Sequence, residues 1–186
     1  MNTVTIAMKS DESASRIELF VRIVWGIISG IVIVIFAMIA YIFLGIEWLL
    51  ILILGKRIGA LNDWIKKVLI YSIQLSAYIY LVTDERPPIG GGRMNTVTAD
   101  VKSDEKASRV ELFVRIVWGT ISYIPLGLFG FVAGICYTIQ WLIILITGKR
   151  NQSLSNVLQK YISYSFMVSS YLLLLTDERN PIIPAF

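Results

Sequence analysis

Apolar residues run almost unbroken over positions 31–54, IVIVIFAMIAYIFLGIEWLLILIL, where Glu47 is the one strongly polar side chain. The run over 124–147 repeats this, with Gln140 in the place of Glu47. At 1.5 Å per helical residue each run is about 36 Å long, slightly more than the ~30 Å hydrocarbon core of a bilayer. The pattern predicts membrane spans over about 31–54 and 125–147. Second, more polar apolar stretches follow at about 61–82 and 154–175, with Lys66, Lys67 and Lys160 near their starts. About six residues separate first stretch from second, a length that allows only antiparallel neighbours and so predicts a transmembrane hairpin.

Upstream of each hairpin the spacing changes. Ile17, Phe20, Val21 and Val24 recur at intervals of three and four, interrupted by Ser15, Arg16 and Glu18, with Arg22 and Trp25 following. This predicts an amphipathic helix in the headgroup region, over about 11–28 and again over about 104–121. Ser10-Asp11-Glu12 and Ser103-Asp104-Glu105 supply a capping hydroxyl and acids at its start. Pro125, and Gly26 with Gly30 in the first half, place an elbow near 29–31 and 122–125; the competing arrangement is one long tilted helix from 12 to 54, kinked only at Pro125. At the extreme start Val4, Ile6 and Met8 alternate with polar residues, as do Val97, Ala99 and Val101. A short strand fits that period, and a disordered tail is the simpler expectation.

The chain is an ungapped tandem repeat. MNTVT opens both 1–93 and 94–186, and KSDE, ELFVRIVWG, GKR and TDER recur at an offset of ninety-three, as Met94 against Met1. Natural duplication and constructed fusion produce the same pattern. Two spans per copy, four in all, predict that both copies share one orientation, as parallel repeats about an axis along the membrane normal. The expected architecture is all-α: a helical integral membrane protein of two repeats, each an interfacial helix plus a two-helix hairpin, packed as a pseudo-symmetric pair.

Composition narrows the chemistry. Hydrophobic residues make up 56% of the chain against 16% charged, and mean hydropathy is +0.70, which points to lipid as the solvent. The net charge of +4 comes from basic residues at the ends of apolar runs, mixed with acids, so nucleic acid is not the expected partner. There is no histidine and one cysteine, Cys136, which rules out histidine-based metal or acid–base sites and an internal disulfide. No catalytic, cofactor-binding or metal-binding set is expected. Dense basic turns at Lys56-Arg57 and Lys149-Arg150, whose side chains are expected to snorkel into headgroups, predict that the hairpin turns face the cytoplasm.

The order of apolar run, L-x-T/L-G-K/R, polar second helix and L-T-D-x-x-x-P resembles small prokaryotic membrane proteins grouped as domain of unknown function 4389. LLTDERNP from Leu174 and LITGKR from Leu145 carry the resemblance best, and Pro125 fits it; the first copy departs with VTDERPP and no proline in its first run. The resemblance implies architecture and a prokaryotic membrane, and no catalytic residue.

Three groups of residues remain as candidates. Glu47 and Gln140 lie inside apolar runs, where an ionisable group costs about 2–3 kcal/mol and a structural hydrogen bond is expected. The TDER acids Asp84, Glu85, Asp177 and Glu178, with Arg86 and Arg179, end each copy where they oppose the helix dipole. They are expected to form a latch with Arg16, Arg22, Arg109 and Arg115, or else to offer a partner surface. Small residues at Gly26 and Gly30, Gly130 and Gly134, Ser72 and Ser76, and Ser165 and Ser169 have helix-packing spacing. The expected function is a non-enzymatic structural or accessory subunit packing against lipid, itself or a larger membrane complex; the alternative is a small channel or transporter component.

Overall fold

The computed structural model describes residues 1–183; positions 184–186, the last three of the second copy, lie outside the described residues. Six elements follow in order: β1 (Val4–Met8), α1 (Arg16–Leu54), α2 (Gly59–Ile79), β2 (Val97–Val101), α3 (Arg109–Thr147) and α4 (Gln152–Leu172). Each copy is thus one strand, one long helix and one shorter helix.

The expected elbow and separate interfacial helix are absent, because α1 and α3 are continuous helices of 39 residues, about 58 Å each. The competing arrangement of one long helix per copy matches their continuity. They begin later than the Ser-Asp-Glu signal: Ser15 and Ser108 are the N-caps, and their hydroxyls accept from the N–H of Glu18 and Glu111. Ser-x-x-Glu at that position outcompetes the upstream Ser10 and Ser103. α3 runs through Pro125, flanked downstream by Phe129 packed on Tyr164 and Val168 of α4. Gly55 and Gly148 end the long helices in the left-handed conformation, φ 69° and 71°.

The shorter helices end in the same motif with an unusual residue. Leu81 and Leu174 occupy the left-handed position, φ 64° and 63°, where glycine is the common choice. The N–H of Leu81 donates to the Tyr78 carbonyl and that of Val82 to the Ala77 carbonyl, closing the turn. Strain of about 1–2 kcal/mol is offset by burial: Leu81 is fully enclosed, packed with Leu19 and Ile144, and Leu174 with Ile51 and Leu112.

These clusters also fix how the copies sit together. Leu19, near the start of α1, meets Ile144, near the end of α3, and Ile51 meets Leu112. Ser13 pairs with Lys149 and Lys56 with Lys106 as antiparallel backbone bridges. The long helices therefore run antiparallel, and the copies are inverted with respect to each other rather than sharing one orientation. The even count of crossings misled because the connection between copies is itself a traversing element. It runs from the Thr83 end to the Arg109 end, with β2 inside it.

That strand makes the architecture not purely α. β1 and β2 form a two-stranded antiparallel ribbon, Val4 opposite Val101 and Met8 opposite Val97, where a disordered tail was the simpler expectation. Each strand buries one face: Val4, Val97 and Val101 join Ile65, Leu69, Leu158 and Ile162 in the main core, while Thr5, Thr98 and Asp100 point outward. The layers are α1 with α3, then α2 with α4, then the ribbon packed on α2 and α4. Two helices, α1 and α3, are long and apolar enough to cross a membrane. The shorter pair do not meet that standard, so the expected four spans are not supported, although each long helix packs on the short helix that follows it.

The pseudo-twofold is broken visibly beside Val68. A cavity of about 260 Å³ opens between Ala37, Ala40, Val68, Ser72, Tyr123 and Leu172. Tyr161 stands in the second copy where Val68 stands in the first, and its ring packs edge-on against Phe129 and Tyr80, with centroids 5.8 and 5.4 Å away. Val68→Tyr is expected to fill the cavity and raise the unfolding midpoint in detergent, by about 1 kcal/mol of stability. A fall of similar size would mean overpacking and would overturn that assignment.

Candidate functional site

Inside-out patterning sets the chemistry of this molecule. On α1 the buried side chains include Glu18, Arg22, Ser29, Ala40, Glu47 and Ile51, a stripe facing the shorter helices. The opposite arc, roughly 140° wide at about 100° per residue, carries Ile17, Val24, Ile31, Val34, Met38, Ile42, Leu49 and Ile53, all exposed. From Ile17 to Leu54 no charged side chain lies on that arc, since Glu18, Arg22 and Glu47 are all buried. α3 repeats it, with Val110, Phe113, Val117, Leu128, Phe131 and Ile146 outside and Glu111, Arg115 and Gln140 inside.

The buried charges meet at the two ends. Asp84 accepts through Oδ1 from Arg22 Nη2 at 2.8 Å and from Arg150 Nη2, and through Oδ2 from the Ser15 N–H at 2.9 Å. At the other end Asp177 takes Arg115 at 3.0 Å, Arg57, and the Ser108 N–H at 2.8 Å. Arg22 and Arg115 belong to the same copy as the aspartate they meet, Arg150 and Arg57 to the other. Arg150 also donates from Nε to the Leu81 carbonyl and from Nη1 to the carbonyls of Asp11 and Ser13; Arg57 does the same at Leu174, Asp104 and Lys106. The left-handed leucines aim those carbonyls at the guanidinium groups.

Each remaining letter of TDER has its own contact. The Thr83 hydroxyl meets that of Thr96 at 3.0 Å and accepts the Glu85 N–H. Glu85 clamps the N–H groups of Asn95 and Thr96, at 3.0 and 2.8 Å, and Glu178 those of Asn2 and Thr3, so each glutamate holds the start of the other copy's strand. Arg86 forks onto Glu18 at 2.8 and 2.9 Å and covers the Trp25 ring; Arg179 does so with Glu111 and Trp118. The Tyr78 hydroxyl donates to Glu18 and that of Tyr171 to Glu111.

The other candidates fall elsewhere. Arg16 and Arg109 do not reach a TDER acid; each donates to a carbonyl at the end of the other copy's long helix, Ile146 or Ile53, at 2.6 Å. Glu47 is fully buried and accepts from Asn62 Nδ2 at 3.3 Å. Gln140 donates to the Ser155 hydroxyl and accepts the Asn151 N–H, at 3.0 and 3.2 Å. Gly26 faces Ile79 and Gly130 faces Tyr161, whereas Gly30 and Gly134 face open space. The Ser72 and Ser76 hydroxyls donate back to their own helix, at Leu69 and Ser72; Ser169 lines the cavity and Ser165 is half-buried.

Sequence reasoning missed Arg57 and Arg150, which are buried rather than snorkelling; only Lys56 and Lys149 of the GKR turns are exposed. It also left Glu18 and Glu111 off the site, although ELFVR recurs with both charges four residues apart, the spacing that puts them on one helix face. Among the described residues no cluster of three metal-ligating side chains occurs.

A family model described as a domain of unknown function, DUF4389, matches residues 16–89 and again 109–182. No curated protein and no solved structure matches the chain.

Two predictions follow from the ends of the molecule. Asp84→Asn leaves two buried guanidiniums facing each other and is expected to cost about 3 kcal/mol in detergent, with Arg150→Gln comparable. The double variant should lose less than the sum by about 1 kcal/mol or more; strict additivity would show that the charges are not coupled. Burial pushes the Glu85 and Glu178 carboxyls up, but their N–H and hydroxyl donors outweigh it and hold both below the ordinary value. A depressed carboxyl contributes fully above its unfolded pKa, near 4.3, and its contribution is lost as pH falls through the lower folded value. Protection of the β1 and β2 amides, referred to their intrinsic exchange rates, should therefore fall on acidification below about pH 4, and Glu85→Gln with Glu178→Gln should remove that change in protection.

Proposed function

The chain belongs to the DUF4389 family in both its halves, and from that premise and its surface we propose that it is a non-enzymatic membrane protein with a structural or accessory role. The observation that carries this is the reversal of polarity on α1 and α3: charges point inward and an uncharged apolar arc points outward along the full length of two helices. A soluble domain leaves apolar patches of a few hundred Å², scattered and interrupted by charge, whereas lipid favours this distribution. The charged side chains at both ends support a structural role, because they are engaged by the chain itself: Asp84, Asp177, Glu18 and Glu111 each bind arginine within the fold.

The outer arc is the surface available for lipid or for a neighbouring membrane subunit. A charge at its centre is expected to cost about 2.5–3.5 kcal/mol of insertion. Val34→Lys should therefore move the protein from the alkaline-carbonate-resistant membrane fraction toward the soluble or aggregated fraction, while Thr98→Lys on the ribbon should leave it in place. Wild-type protein released by carbonate would overturn the membrane reading. Ion flux through protein-containing liposomes would replace the accessory role with that of a channel component.

A further inference from the structure

We propose that α1 and α3 lie side by side in the plane of the bilayer, embedded in one leaflet, with the ribbon facing water, so that the chain is monotopic and does not span. This deepens the membrane reading above and rests on it. The first observation is length. The exposed apolar arc extends from Ile17 to Ile53, about 54 Å of helix, against a hydrocarbon core of ~30 Å. Burying all of it across the core would need a tilt of more than about 50°, beyond the 0–40° that spanning helices adopt.

The second observation is the traverse between copies. Because α1 and α3 are antiparallel, the segment joining α2 to α3 passes from one end of the bundle to the other, carrying β2. Were the helices upright, this segment would cross the hydrocarbon as part of a two-stranded ribbon with two open edges. Thr98 and Asp100 would then be exposed at mid-depth, together with the 2.5 Å ion pair from Lys66 to Asp100. Open sheet edges and exposed ion pairs are not tolerated there. In-plane helices remove the conflict, because the ribbon lies on α2 and α4, across the stack from the apolar arc.

The third observation is charge at the rim. Arg16 and Lys149 flank one end of the long-helix pair, and Arg109 and Lys56 the other, all exposed. In the plane of a leaflet both sets meet the same headgroup layer, whose phosphates complement these arginines and lysines alongside the exposed acids Asp11, Glu12, Asp104 and Glu105. The occupant of the apolar arc is thus the acyl region of one leaflet.

Sidedness tests this directly, because Lys56 and Lys149 sit at opposite ends of the bundle. In a Cys136→Ser background, Lys56→Cys, Lys149→Cys and Thr98→Cys should all react with an impermeant maleimide from one and the same side of the membrane, within a small factor of each other. Labelling of Lys56→Cys and Lys149→Cys from opposite faces, an order of magnitude apart, overturns the proposal. Polarised infrared dichroism on oriented bilayers supplies the independent readout: helix axes parallel to the plane support it, and upright axes overturn it whatever the labelling shows. Release of the wild-type chain by carbonate would instead defeat the membrane reading on which this rests.

Discussion

One carboxylate held between two arginines from different copies is the contact on which this fold depends. Asp84 cannot satisfy Arg22 alone, since the guanidinium of Arg150 arrives at the same oxygen from the far copy and is itself almost fully buried. Removing Asp84 leaves two uncompensated guanidiniums in a poorly solvated site, which is far more costly than losing an exposed pair, and removing Arg150 strips the carbonyls of Leu81, Asp11 and Ser13 of their donor. The geometry also dictates orientation. Within one copy, GKR and TDER lie at opposite ends of the helical pair, so GKR can meet TDER only if a second copy runs the other way. The inversion, the antiparallel long helices and the traversing ribbon are consequences of that pairing.

Much of this was legible in the residues, and the failures have specific causes. The tandem repeat, the apolar runs and the helical character follow from self-comparison and periodicity. The elbow did not materialise because Gly26 and Gly30 permit a bend without requiring one, and Pro125 sits in a helix whose packing on α4 fixes its path. The ribbon was hidden for a different reason: five alternating residues are too few to fold alone, and each strand exists only because the other copy and the TDER glutamate hold it. Arg57 and Arg150 resemble surface anchors in the sequence because basic residues after an apolar run usually are. Nothing local distinguishes them from Lys56 and Lys149; the difference is a partner more than sixty residues away.

The TDER motif illustrates how a short string can encode a long-range interface. Its threonine and glutamate hold the other copy's strand, its aspartate joins that copy's arginine to its own, and its final arginine returns to the start of its own long helix. Three of the four letters therefore reach across the pseudo-twofold. One copy alone would leave Glu85 and Arg57 without the groups that satisfy them, and Asp84 with only Arg22 and the Ser15 N–H. Joining two copies in one chain places those groups at a high effective concentration and makes the pairing intramolecular.

The same economy explains the surface. With every charge of the long helices except the terminal Arg16 and Arg109 turned inward and engaged within the fold, the outward arc is left with apolar residues and, on α3, the uncharged Thr120 and Thr138. In water this would be a liability: the uncovered leucine, isoleucine, valine and phenylalanine side chains would each forgo about 1.5–3 kcal/mol of burial. In lipid those side chains lose nothing, and the internal ion pairs are strengthened because water is kept from competing for them. The latches and the apolar arc are therefore one arrangement, since charges engaged on the inner face of a helix are not available to the outer one.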